Sequence, residues 1–258
     1  MKSPSSPQML FVLGLLAALG VTGLTWLGVW QIERLAWKEA LIARVDQRIH
    51  AAPGEPPAPA QWPTIDPAGA EYRRVTASGH YLNDRETLVQ AVTERGSGFW
   101  VVTPFQTNQG FTMLVNRGFV PPENRDPTTR SAGQPAGTTT VTGLLRMTEP
   151  KGGFLRSNDP AADRWYSRDV AAIAASRGLQ QVAPYFVDAD RTTNPGGLPI
   201  GGLTVVAFPN NHLVYAITWF GLALMLCAWA IFAAIEERRR AFQQKGARAW
   251  LERLVEPQ

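Results

Sequence analysis

One cysteine and three histidines in 258 residues leave little material for several kinds of chemistry. There is no C-x-x-C, no H-x-x-x-H and no His/Cys cluster, so a zinc or copper site has no ligand set within the chain. The lack of C-x-x-C-H excludes covalent haem attachment. Gly-x-Ser-x-Gly is missing, and His80 stands two residues from Ser78 with no orienting carboxylate, which leaves a hydrolase reading without support. Gly96-Ser97-Gly98 is followed by Phe-Trp-Val-Val, the start of a strand, so it is no phosphate loop. The single cysteine, Cys227, falls inside an apolar run and is expected to be a small buried hydrophobe. Without disulfides, the segment between the two apolar runs must rest on its own core.

What is present begins with those two runs. No charge occurs between Lys2 and Glu33, and residues 213–235 are 23 residues without a formal charge. At 1.5 Å per residue either run crosses a hydrocarbon layer of about 30 Å. A cleaved signal peptide is disfavoured at the N-terminus, where the apolar run is long and Trp26 and Trp30 occupy the cleavage region. Two spans put both termini on one side of a bilayer and residues 31–212 on the other. Seven basic residues flank the outer ends, which predicts cytoplasmic termini and a periplasmic middle. Eight residues precede the first run, too few for an Arg- and Ser-rich transit peptide, so a bacterial inner membrane is expected. The net charge of +4 divides into +1 over residues 31–212 and +3 on the ends. That pattern fits anionic headgroups and argues against nucleic acid.

Between the spans the period changes twice. Helical spacing continues from 32 to 50 as an amphipathic stalk beyond a first span at 9–31. Residues 51–70 hold six prolines and read as an extended linker. From 71 to 209, β-branched and aromatic runs predict strands at 72–82, 87–92, 99–106, 111–117, 138–147 and 185–190. Asn108-Gln109-Gly110 is a hairpin turn, 121–137 a polar loop, and 168–177 a short helix before Gly178. A second span at 213–235 and a basic tail at 236–258 complete the chain. The expected class is an α+β membrane protein. Two transmembrane helices flank a mostly antiparallel β domain, barrel- or sandwich-like.

The chemistry that remains lies near the membrane. His212, at the mouth of the second span, is either an axial ligand to a haem iron or, with Asn210 and Asn211, a polar cap on the helix start. Gln31, Arg34 and Lys38 follow one another on the stalk's first turns, able to pair with haem propionates or to snorkel to lipid phosphate. Trp26, Trp30 and Trp219 are either an apolar wall for a macrocycle or an interfacial belt. Arg117, in Asn116-Arg117-Gly118, either docks on a membrane or partner or braces a turn.

Three ordered strings, LGVWQIERLAWKEALI at 27–42, VNRGFVP at 115–121 and NNHLVYAITWF at 210–220, resemble the surfeit locus protein 1 family of cytochrome c oxidase assembly factors. Phe119 stands where many members have Trp. The resemblance implies a largely β extracytoplasmic part and a non-enzymatic role in building haem-copper oxidase. It implies transient, non-covalent binding of haem a and its delivery to the large oxidase subunit, with haem a synthase as a further partner. By position it makes His212 the haem ligand and assigns Trp30, Gln31, Arg34 and Tyr215 to the cofactor site. Gly28, Asn116, Arg117, Gly118, Asn210 and Asn211 match motif positions as partner or structural residues. The competing expectation is a scaffold that holds an oxidase intermediate without touching haem. A membrane-anchored sensor is disfavoured, because the 23 residues after Ile235 are too few for an output domain.

Overall fold

A computed structural model describes residues 6–153 and 155–255, and the chain divides into two compact units, 1–42 with 208–258, and 43–207. The first is helical. Helix α1 (Pro7–His50) and helix α4 (His212–Val255) each contain a stretch long and apolar enough to cross a membrane, as in a membrane protein. No glycine or proline breaks α1 between Gly28 and its end, so the apolar run and the stalk are one helix of 44 residues.

Within the helical unit the seam sets small residues among larger ones. Ala17, Gly20, Leu24, Gly28, Gln31, Leu35 and Lys38 recur at three- and four-residue spacing along the covered face of α1. The covered face of α4 carries His212, Ala216, Trp219, Ala223 and Leu226. The small residues among these let backbones approach closely, which is how helices gain contact when lipid is as apolar as their side chains. Cys227 is exposed on the outward face of α4, contrary to its expected burial. One residue past Leu226, it is turned about 100° out of the seam.

The second unit is a closed sheet. Its strands are β1 (Arg74–Tyr81), β2 (Thr87–Thr93), β3 (Gly96–Thr107), β4 (Thr112–Val120), β5 (Thr139–Met147) and β6 (Val182–Ala189). The order β1-β5-β6-β4-β3-β2, with a further β1–β3 pairing, closes five strands into a barrel and leaves β2 outside the ring. Strand β3 serves both functions. Gly96–Val102 pair with β2, while Phe105, Gln106 and Thr107 pair with β1. All pairings are antiparallel except β4–β6.

Alternation along the strands divides the core in two. Val75, Phe105, Met113, Val115, Leu145, Tyr185 and Val187 form one cluster. Leu114 and Phe186, which alternate with those residues, instead join Trp165, Val170 and Ile173, the last two on helix α3 (Val170–Ser176). Strand β4 is therefore buried along its whole length. Asp169 caps α3 by accepting from Ala172 N (3.1 Å), and Gly178 lies just beyond its end.

The proline-rich stretch is not the extended linker expected. A 3₁₀ helix at Pro59–Thr64 and a single α turn, α2 (Pro67–Ala70), interrupt it, and Trp62 and Ile65 pack on the core. Proline breaks a helix interior but suits the first helical position, where Pro59 and Pro67 sit. Tyr185 Oη donates to Pro57 O (2.7 Å) and Arg48 Nη2 to Ala68 O (2.6 Å), so the segment lines the domain. The polar loop 121–137 likewise contains 3₁₀ turns, at Pro122–Asn124 and Pro127–Gly133.

Candidate functional site

In the helical unit the structure brings together two of the residues singled out in sequence. Gln31 is buried on α1, and its Oε1 lies 2.7 Å from Nδ1 of His212, the first residue of α4. An amide oxygen can only accept, so this contact calls for a proton on Nδ1, and the tautomer that meets it keeps the lone pair on Nε2. Orienting one ring nitrogen by a protein acceptor is how proteins prepare the other for a metal. The cap reading is not realised. Among the described residues no side chain of 210–212 accepts from a backbone N–H of α4, whose first turn is closed by Tyr215 N donating to Asn211 O (3.2 Å).

Gly28, one turn before Gln31, explains how the two helices come close enough. A Cβ there would lie 2.6 Å from the Phe220 ring of α4. Gly28→Leu is accordingly expected to wedge the seam and cost about 1–3 kcal/mol. Proteolysis or thermal melting of the detergent-solubilised chain reads this; unchanged resistance would show that the seam accommodates bulk.

The remaining candidates separate. Trp30, Arg34 and Tyr215 are exposed on the outer surfaces of their helices, as is Trp26. Arg34 carries its guanidinium 4.6 Å from the Trp37 ring centroid, whereas Lys38 lies 5.3 Å over Phe208. Trp219 faces the seam and is not grouped with Trp26 and Trp30. Within residues 210–219, two buried polar atoms find no partner among the described residues: Asn210 Oδ1 and Trp219 Nε1.

The Asn116-Arg117-Gly118 motif belongs to the barrel. Asn116 Nδ2 donates to Asp188 Oδ1 (2.8 Å) across the β4–β6 pair, and its own Oδ1 accepts from Gly118 N (3.2 Å). Arg117 is 1% exposed, which rules out docking on a membrane or partner. Its Nη2 donates to Gly133 O and to Asn194 Oδ1 (3.2 Å), and its guanidinium lies 4.4 Å over the Tyr81 ring. Burial lowers the Arg117 pKa against the opposing pull of Tyr81, and burial pushes the Tyr81 phenol up to about 12 despite Arg117. The arginine braces the loop carrying Gly133. Phe119, which follows the motif, pairs with Ile200 by two backbone hydrogen bonds of 2.9 Å.

Asp188 carries no motif in the sequence, yet it centres a polar network that joins β4, β5, β6 and the segment before α3. Its carboxylate accepts from Arg146 Nη1 (3.1 Å), Arg168 Nη1 (3.0 Å) and Asn116. Glu71 binds Arg146, and Glu149 binds Arg168. Burial disfavours the Arg168 charge, but Asp188 and Glu149 outweigh it and raise its pKa. Acidic and basic residues spread over 71–188 give no local signal for such a cluster.

Comparison with known proteins places these features in a family. Residues 18–224 match the SURF1 family. "Surfeit locus protein 1" of Rattus norvegicus is 41% identical over 213 residues, covering 76% of this chain and 67% of the relative. The Homo sapiens protein of that name is 40% identical over 215 residues, covering 76% and 69%. A "SURF1-like protein" of Monosiga brevicollis is 37% identical over 248 residues, with 90% of each chain covered.

Proposed function

Since the chain belongs to the SURF1 family, we propose that it is an assembly factor for haem-copper cytochrome c oxidase. In this reading it holds haem a at the extracytoplasmic membrane face and passes it to the large oxidase subunit. The protein sits in a bacterial inner membrane with both termini in the cytoplasm and the barrel in the periplasm. Haem a synthase is the donor side of the same exchange, and the chain's role is carriage, without catalysis.

The observation that carries this reading is the Gln31–His212 hydrogen bond of 2.7 Å. It fixes the imidazole tautomer and leaves Nε2 available to iron. The surroundings suit the group: the flanking seam is apolar, as an isoprenoid-tailed macrocycle requires, and the orphaned Asn210 Oδ1 and Trp219 Nε1 are polar atoms that a ligand can satisfy. A single imidazole from the chain makes a site that a receiving protein with more ligands outcompetes.

The test is the absorption spectrum and haem stoichiometry of the full-length protein purified from cells that make haem a. Wild-type protein should carry haem a, His212→Ala should lose it, and Gln31→Leu should weaken retention by about 10–100-fold. Wild-type stoichiometry and spectrum in His212→Ala would remove the ligand assignment. Haem-free wild-type protein that still holds an oxidase intermediate would make it a scaffold instead.

A further inference from the structure

The helical unit opens into a groove at the end remote from His212. Where the helices meet, a Cβ at Gly28 would lie 2.6 Å from the Phe220 ring, and one at Gly20 would lie 2.8 Å from Leu226 Cδ2. At Gly14 the same atom would meet nothing within 4 Å. There Gly14 and Ala17 on α1 and Ala230, Ala233 and Ala234 on α4 line a groove of about 550 Å³. Side chains this short leave the gap open, and the lining forfeits its dispersion contacts. A flexible acyl chain would restore them. The groove runs from Trp229 to Ala241 on α4, about 18 Å, close to one leaflet of a hydrocarbon core of about 30 Å. Trp229 stands 17 residues after His212, about 25 Å along the axis, so the groove and the imidazole belong to opposite leaflets.

The outer end of the groove is charged. Glu237, half-buried, and Arg238, exposed, are the two charged residues of its lining among the described residues. Arg240 is instead paired with Glu236 on the same helix (3.2 Å). Every membrane helix is coated by lipid, but a concave apolar wall that ends in two opposite charges selects among lipids. A purely basic mouth suits an anionic headgroup. Glu237 repels one. A headgroup with a primary ammonium beside its phosphate satisfies both residues, because the ammonium donates to the carboxylate and the phosphate accepts from the guanidinium. We propose that this groove holds one phospholipid of that class, phosphatidylethanolamine, with an acyl chain between α1 and α4 and its headgroup on Glu237 and Arg238. The site is independent of the haem-carrier reading.

The test incubates detergent-solubilised full-length protein with phosphatidylethanolamine, phosphatidylcholine and phosphatidylglycerol of identical acyl chains, and counts retained lipids by native mass spectrometry. Wild-type protein should keep one phosphatidylethanolamine. The other two should be held about 3–10-fold more weakly, between the worth of an exposed ion pair and that of a hydrogen bond to a charged group. Glu237→Gln should bring phosphatidylethanolamine down to the level of phosphatidylcholine, whose quaternary ammonium has no N–H to donate. Arg238→Gln should weaken all three, since each carries a phosphate. Gly14→Leu should fill the groove and abolish retention; its Cβ meets no neighbour and leucine favours helix over glycine, so the variant is expected to fold. Equal retention of the three lipids by wild-type protein, or retention unchanged in Gly14→Leu, would overturn the proposal and leave an ordinary lipid coat. Tighter holding of phosphatidylglycerol would overturn it in favour of an anionic lipid, and a wild-type protein that retains no lipid would overturn it in favour of a partner protein's helix.

Discussion

Asp188→Ala is expected to destabilise the barrel by about 3–5 kcal/mol, the range for removing one partner from a buried ion network. The Asp188 side chain is 1% exposed, and Arg146 and Arg168 both point a guanidinium nitrogen at it from within 3.1 Å. Its removal leaves two half-buried cations with only the partly exposed carboxylates of Glu71 and Glu149. It also strips Asn116 of its acceptor, on the strand that carries most of the VNRGFVP string. Joint replacement of both arginines and Asp188 by apolar residues should cost less than the single change, because only the partly exposed Glu71 and Glu149 would then lose a partner. Thermal melting of the full chain, followed by tryptophan fluorescence, should show a fall of roughly 6–20 °C for a domain of this size. A fall of only a degree or two would show that water reaches the network.

Gly118→Val is expected to prevent the barrel from folding, with a loss above about 4 kcal/mol. Gly118 has φ +131°, and a Cβ there would lie 2.1 Å from Ile200 O. The obstacle is main chain, so no rotamer relieves it, and Ile200 is held by both of its hydrogen bonds to Phe119. Gly110 provides the comparison. It too has positive φ, +88°, but a Cβ added there would meet nothing within 4 Å, so Gly110→Ala should cost only about 1 kcal/mol. The yield of protease-resistant protein after expression separates the cases. Equal yields from both variants would show that close approach at Gly118 is unimportant.

The strands are legible in the sequence because β-branched and aromatic residues cluster between turn signals, and both long helices because their apolar runs are uninterrupted. The parallel β4–β6 pair is hidden, since it depends on where α3 returns the chain and leaves no local signature. The prolines of 51–70 mislead when only their number is weighed, because position decides their effect. Pro59 and Pro67 each open a short helix. At the candidate site, Gln31, Arg34 and Lys38 are neighbours on one helix, but packing against α4 divides them. Gln31 turns inward to His212, 181 residues away, while Arg34 remains exposed. Partners so far apart in sequence are visible only when the second helix is in place. Asp188 escapes notice for the same reason, its three partners coming from β4, β5 and the segment before α3.

The ring closure also sets the order in which the domain can form. The β2-β3-β4 meander uses partners near in sequence and can assemble as it is synthesised. The barrel itself waits for β1 to meet β5 and for β6 to reach β4, contacts such as Thr76–Thr142 and Asn116–Asp188 that span 66 and 72 residues. Loop closure over such spans must precede any reward from the contacts, so folding is slow by topology. During that delay β4, later buried on both faces, is an unpaired apolar edge. A nascent chain tethered by α1 spends that interval most exposed to aggregation.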